Sequence, residues 1–233
     1  MRRLSLVLDA AAALRFAAGA ADVDIPACAT LAELAGADAV QLGVSEELRP
    51  VGESDVRQAR RAASALELRL APAPGMLKLA LEVQPERAIL ASEAAGRPAP
   101  LDFRAWGTAI APSSRTLREA GIQVSALIAP ELEAVKAAHA AEVQGVDLYT
   151  GSLVDLPASE RREGTERLAD AARLAVKLRL RVSLAGGLGF RSLDGLLDAV
   201  PAAERICIGR AFIARALLVG VDRAVCDLRA KLS

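Results

Sequence analysis

Short apolar stretches alternate with segments of helical spacing along the whole chain, and this alternation limits the available folds more than any single motif. Stretches 4–8, 39–44, 66–71, 87–91, 122–129, 146–150, 180–185 and 205–208 have the length of strands. The first ends at Asp9, the third at Pro72, and the last two run straight into glycine. Segments 27–35, 55–64, 76–83, 114–120, 131–143, 159–178 and 221–232 read as helices, with Ser54 a possible cap for the second. The joints A-G-A-D, A-G-I-Q and Q-G-V-D share one design, in which Gly36, Gly121 or Gly145 closes a helix and a strand follows. Strand and helix thus alternate roughly eight times, the signature of an α/β protein with a parallel sheet. That count, in 233 residues, favours a single domain over 1–233, a (β/α)8 TIM barrel with extra short helices, over an open doubly wound sheet. No G-x-G-x-x-G follows the first strand, which weighs against a dinucleotide site. The least regular stretch, 92–112, carries Gly96, Pro98, Pro100, Gly107 and Pro112 and is expected to be a lid or binding loop.

Composition narrows the partners. Lys+Arg and Asp+Glu number 29 each and aromatics are 3%, so neither a basic surface nor stacking platforms for nucleic acid are expected. Cys28, Cys207 and Cys226 are odd in number and widely spaced, with no C-x-x-C pair, which fits a reducing compartment and no metal site. Arg2 and Arg3 precede an apolar run, but Asp9 and Arg15 interrupt it too early for a signal peptide. No apolar run approaches the ~20 residues of a membrane span. The expectation is a cytoplasmic protein with no membrane partner.

The strand ends at 185 and 208 carry the functional signal. Gly186, Gly187 and Gly189 free the backbone at the first, Gly209 at the second, and a helical segment follows each. Such turns can aim several N–H groups at one anion, and in barrels of this kind the last two strand-to-helix loops are the usual phosphate site. The plainer reading, that these glycines only make tight turns, stays open. On the strand 66–71, Glu67 and Arg69 alternate with leucines, and with Asp147 they are expected to point into the barrel. They are either functional groups or a closed ion-pair layer.

The order of segments resembles the pyridoxine 5′-phosphate synthase family of vitamin B6 biosynthesis. The resemblance rests on L-V-L-D with L-R-x-x-x-G (6–19), A-E-L-A-G-A-D (32–38), S-D-V-R (54–57) and M-L-x-x-A-L-E-x-x-P (76–85). It continues through A-G-I-Q-V-S (120–125), Y-T-G (149–151), A-G-G-L-G-F and I-G-R-A-F-I-A-R-A. It implies a TIM barrel and a homo-oligomer that condenses 1-deoxyxylulose 5-phosphate with 3-amino-2-oxopropyl phosphate, without a metal or other cofactor.

Carried over residue by residue, the resemblance implies losses. Val7 and Ala10 stand where the family has Asn and His, and Ala18 where it has Arg. Gly43, Ser45 and Pro50 replace His, Arg and His. Arg69 replaces the catalytic glutamate, Asp147 a second glutamate, Gly186 a histidine, and Arg210 the histidine after the eighth-strand glycine. The single histidine, His139, falls within a helix. Condensation and ring closure need groups that exchange protons near neutral pH, and alanine, glycine and proline supply none. The phosphate site is better kept, because it rests on backbone N–H groups at Gly187 and Gly209, with Arg210 as an added cation. The expectation is a divergent homologue that binds a phosphorylated small molecule at Gly186, Gly187, Gly209 and Arg210 and has lost synthase activity. The alternative is an active enzyme that works with Asp9, Asp147 and Arg69.

Overall fold

The computed structural model describes residues 1–20, 22–94, 97–154 and 156–232. In chain order the first half runs β1 (Arg3–Val7), α1 (Asp9–Ala18), α2 (Ile25–Leu34), β2 (Ala39–Val44), α3 (Glu53–Ala62), β3 (Leu66–Leu70), α4 (Pro74–Val83) and β4 (Arg87–Leu90). The hairpin β5 (Ser92–Ala94) and β6 (Arg97–Ala99) follows, then α5 (Gly107–Glu119), β7 (Gln123–Ile128), α6 (Leu132–Ala140), β8 (Gly145–Tyr149) and α7 (Gly151–Val154). The chain continues through α8 (Ala158–Lys177), β9 (Arg181–Ala185), α9 (Leu193–Ala199), β10 (Ala203–Ile208), α10 (Arg210–Val219) and α11 (Val221–Leu232). Eight parallel strands close in the order β1-β10-β9-β8-β7-β4-β3-β2. Closure is made by β1, which pairs Leu4 with Ile206 on one side and Leu6 with Val40 on the other.

Alternation along the strands builds two cores. Even-numbered residues such as Leu4, Leu6, Val40, Leu42, Leu66 and Leu68 face the helices and are at most 1% exposed. Together with Val56, Leu117, Val135, Leu168 and Leu228 from the helices they form the main apolar shell. Odd-numbered residues face the axis. There a small apolar plug of Ile89, Leu127, Ala185 and Cys207 is contacted by Val7 and Tyr149. The rest of the interior is polar and charged, and it is described below.

The structure departs from the sequence expectations at five places. Residues 9–18 form a helix, α1, ended by Gly19 in the left-handed region (φ 61°). Its alanine-rich run has high helix propensity but no long apolar face to betray it. Helix α3 starts one residue before Ser54, which is therefore not the cap. Asp55 instead reaches back to accept the Gly52 N–H at 2.9 Å, while the Ser54 hydroxyl accepts from Gln58. The stretch 92–112 is not a plain loop: it holds the antiparallel β5–β6 hairpin and the start of α5. Pro112 lies inside α5, in its second turn, where it forfeits the bond its N–H would have made and its ring crowds the carbonyl four residues before it. Gly36 and Gly121 do close their helices with positive φ, but Gly145 does not. Glu142 takes the left-handed position there, and Gly145 opens β8, where a Cβ would sit 3.0 Å from Ser125 Oγ and 3.1 Å from the Arg181 carbonyl. Finally, the four-residue helix α7 follows β8 directly. Among the described residues, no helix is long and apolar enough to cross a membrane.

Candidate functional site

Because β9 and β10 are parallel neighbours, the turns that follow them lie side by side at the C-terminal mouth of the barrel. Gly186 and Gly187 have φ of 85° and 68°, values that side chains rarely adopt. Thr150 fixes this turn by donating its hydroxyl to the Gly186 carbonyl, and its N–H bonds the Ala185 carbonyl at 2.8 Å. At Gly187 a Cβ would fall 2.9 Å from the Gly151 Cα, so only glycine allows the two loops to meet. Gly189 spends its N–H on the Ser192 hydroxyl (3.1 Å), whereas the N–H groups of Gly187 and Gly209 have no partner among the described residues. Gly209 precedes the ten-residue helix α10, whose first-turn N–H groups add positive potential. Arg210, the first residue of that helix, is exposed and forms no ion pair among the described residues. The structure thus brings Gly186, Gly187, Gly209 and Arg210 to one edge of the mouth.

Asp9 and Arg69 meet on another part of the mouth. Asp9, at the start of α1, accepts the Gly43 N–H at 2.7 Å and an Arg69 guanidinium N–H at 2.5 Å. Their side chains are 25% and 12% exposed. The Arg69 guanidinium lies across Gly43, so that a Cβ added there would run into it. The Tyr149 ring does the same at Gly186 and Gly151. On the hairpin, partial burial raises the Glu93 carboxyl above its ordinary value; Arg69 opposes this, and Glu47 and Asp9 add to it.

Asp147 is elsewhere. It sits in the barrel interior, 1% exposed, with both carboxylate oxygens on Arg87 at 2.6 and 3.2 Å. Arg87 also donates to Glu67 (2.9 Å) and to the Ser125 hydroxyl (3.2 Å). Glu67, fully buried, further accepts the Ser5 hydroxyl at 2.8 Å and lies 3.0 Å from Arg205 Nε. Burial alone would push Glu67 up, but Arg87 and Arg205 outweigh it and hold the carboxylate below its ordinary value. Burial also drives the Cys207 thiol well up, and Asp147 adds to this, so it stays protonated. Glu67 and Asp147 therefore belong to a closed ion-pair layer below the apolar plug, while Arg69 belongs to the mouth. Gln41 spans the two, donating to Glu67 at 3.5 Å and accepting from Arg69 at 3.4 Å.

Reading the sequence missed Arg87, the hub of the layer, because R-A-I-L reads as an apolar strand. Its position two residues before the inward Ile89 was the available signal. Tyr149 was seen only as part of Y-T-G, and Glu93 lay in the stretch expected to be irregular. His139 is exposed near the C-terminus of α6. In a β/α barrel the helices run antiparallel to the strands, which puts this histidine at the end away from the mouth.

Known proteins agree with this geometry at two levels. Solved barrels superpose over nearly the full chain. 3-Hexulose-6-phosphate synthase matches with a TM-score of 0.66 at 15% identity, covering 98% of this chain and 99% of that one. A thiamine phosphate pyrophosphorylase from Pyrococcus furiosus gives 0.62 at 16%, covering 98% and 94%. At such identities they show the fold alone. Sequence likeness is closer. The pyridoxine 5′-phosphate synthase of Syntrophobacter fumaroxidans is 34% identical, with 99% of this chain and 98% of the relative covered. That of Desulfatibacillum aliphaticivorans is 35% identical, with the same coverage. The family described as pyridoxal phosphate biosynthesis protein PdxJ matches residues 4–233. With the barrel, the paired glycine turns and this match running together from the first strand to the last helix, the chain belongs to the PdxJ family.

Proposed function

We propose that this member of the family binds a phosphorylated small molecule at its C-terminal mouth and does not make pyridoxine 5′-phosphate. One observation carries the reading. Two of the five places where the resemblance puts histidines, Gly43 and Gly186, are occupied by the side chains of Arg69 and Tyr149. An imidazole at either position would have to displace them. Neither of the acids named from the sequence, Asp9 or Asp147, replaces the missing groups. Asp9 is held by Arg69 and by the Gly43 N–H, and Asp147 is sealed on Arg87. Both oxygens of each carboxylate already accept hydrogen bonds, which leaves neither free to take a proton from a substrate. Phosphate binding asks less, since the N–H groups of Gly187 and Gly209 do not depend on any of the replaced side chains.

A second reading is genuine synthase activity. It draws on the curated relatives, which are pyridoxine 5′-phosphate synthases aligned over nearly their whole length. Binding and turnover separate the two. Titration calorimetry with 1-deoxyxylulose 5-phosphate and with inorganic phosphate is expected to show binding. Arg210→Ala should weaken it roughly tenfold or more, because a charge-assisted hydrogen bond contributes about 1.5–3 kcal/mol. Absence of affinity for any phosphorylated small molecule would reduce the glycines to turns.

We further propose that the chain self-associates in a reducing, cytoplasmic setting. Its cysteines are free, α10 presents Leu217 and Leu218 at 72% and 80% exposure, and the neighbouring helix α1 exposes Leu14 and Phe16. Sedimentation at micromolar concentration should show a species larger than 24.2 kDa, and Leu218→Glu should reduce it to that mass.

A further inference from the structure

The strand-start end of the barrel, opposite the mouth, holds a cavity of about 60 Å³. Its polar lining offers several hydrogen-bond donors without partners among the described residues. Ser125 Oγ accepts from Arg87, which leaves its O–H free. Gln123 Oε1 accepts from Arg181 at 3.2 Å and Gln144 Oε1 from the Val124 N–H at 2.9 Å, so each amide NH2, at the half-buried and exposed rim respectively, has no protein acceptor among the described residues. Because both of those partners are N–H groups, the amide orientations follow from chemistry. The Ser183 hydroxyl, 5% exposed, makes no hydrogen bond among the described residues.

Two buried guanidinium N–H groups complete the surplus. Arg87 and Arg205 are 2% and 8% exposed, and the Nε of each lacks a hydrogen-bond partner. Arg205 Nε does lie 3.0 Å from Glu67 Oε1, close enough to count as an ion pair. Its N–H is nevertheless not directed at that oxygen, and both atoms remain without a hydrogen bond. The contact is therefore electrostatic, because a hydrogen bond weakens steeply with angle. Buried donors left unmet are costly and normally find an acceptor. Water answers such a surplus poorly, since each molecule brings two more protons. At the rim of the same lining, Arg181 and Glu204 are both exposed; Arg181 has no carboxylate partner among the described residues, and Glu204 is the single carboxylate of the lining.

We propose that this cavity is a binding site for a small inorganic anion that has no proton to donate, a halide or one tetrahedral oxyanion. A single water needs roughly 10–15 Å³ of such space, so the volume corresponds to about four to six waters: room for one tetrahedral oxyanion, or for a halide together with a few waters. It is too small for a phosphorylated metabolite, which separates it from the ligand proposed at the mouth.

The test uses the full chain carrying Arg210→Ala, which removes the cation at the mouth. Crystals soaked in bromide, and separately in selenate, are expected to show an anomalous peak in hydrogen-bond reach of Arg87 Nε and Arg205 Nε. In solution, thermal midpoints measured at constant ionic strength, with a bulky organic anion as the balance, should rise and saturate with chloride or sulfate. The pair identifies which anion is preferred. Ser183→Ala and Arg181→Gln, which leave the ion-pair layer in place, should each shift the saturation midpoint by roughly fivefold or more. A cavity holding only water, midpoints indifferent to anion identity, or variants that saturate at the parent concentration would each overturn the proposal.

Discussion

Glu67 shows what a single residue contributes here. Its carboxylate is out of water, and its stability rests on Arg87, Arg205 and Ser5. Removing one partner of such a set costs more than the set adds, because a bare charge is left behind. Arg87→Met should therefore destabilise the fold by about 3–5 kcal/mol in urea unfolding, since it strands both Glu67 and Asp147. The pH dependence follows from the depressed value of Glu67. A carboxyl lowered on folding contributes stability above its unfolded value, and loses it as pH falls toward the folded value. The stability gap between the parent chain and Glu67→Gln should thus be full at neutral pH and shrink below about 4.5, the ordinary glutamate value. A gap independent of pH would contradict the assignment. That Glu67 points inward was legible from its alternation with leucines. The pairing of Arg87 with Asp147 was not, because it joins residues sixty apart on the two strands that flank β7, which no local pattern encodes.

At the scale of elements, the mouth depends on what fills the places of missing side chains. A histidine at Gly43 must push Arg69 off Asp9, and a flexible guanidinium gives way more readily than backbone would. Gly43→His alone should cost about 1–3 kcal/mol. Combined with Arg69→Glu it should cost less than the two single changes added, by about 1 kcal/mol or more. Strict additivity in the double-mutant cycle would mean that the two positions do not compete for space. The turn after β10 is tighter still. A Cβ at Gly209 would lie 3.0 Å from the Val7 Cβ and 3.1 Å from its carbonyl oxygen, so Gly209→Val should abolish phosphate binding and lower the thermal midpoint as well. These turns were visible in the sequence because glycine at a strand end has few other uses. Helix α1 and the β5–β6 hairpin were hidden for opposite reasons. The first is so rich in alanine that its buried and exposed faces look alike, and the second is too short for its period to register.

For the whole molecule, the barrel was legible because strand and helix alternate with little interruption, and each joint carries its own stop signal. The interior was less so, since its layers are assembled from eight strands at once. Those layers set the functional expectation. An ion-pair layer below, an apolar plug above it, and a mouth where Arg69 and Tyr149 cover Gly43 and Gly186 underlie the proposal that the mouth holds phosphate with no histidine in place; Tyr149, Asp9 and Glu93 remain there as ionisable groups beside Arg69. The most direct measurement is turnover. Purified protein is incubated at neutral pH with 1-deoxyxylulose 5-phosphate and 3-amino-2-oxopropyl phosphate, and pyridoxine 5′-phosphate is followed by mass spectrometry beside an active relative. No product above the protein-free control is expected, although the phosphorylated substrate binds. Product formed at a rate comparable to the relative, and lost in Asp9→Asn or Asp147→Asn, would contradict the account and make those carboxylates the working acids.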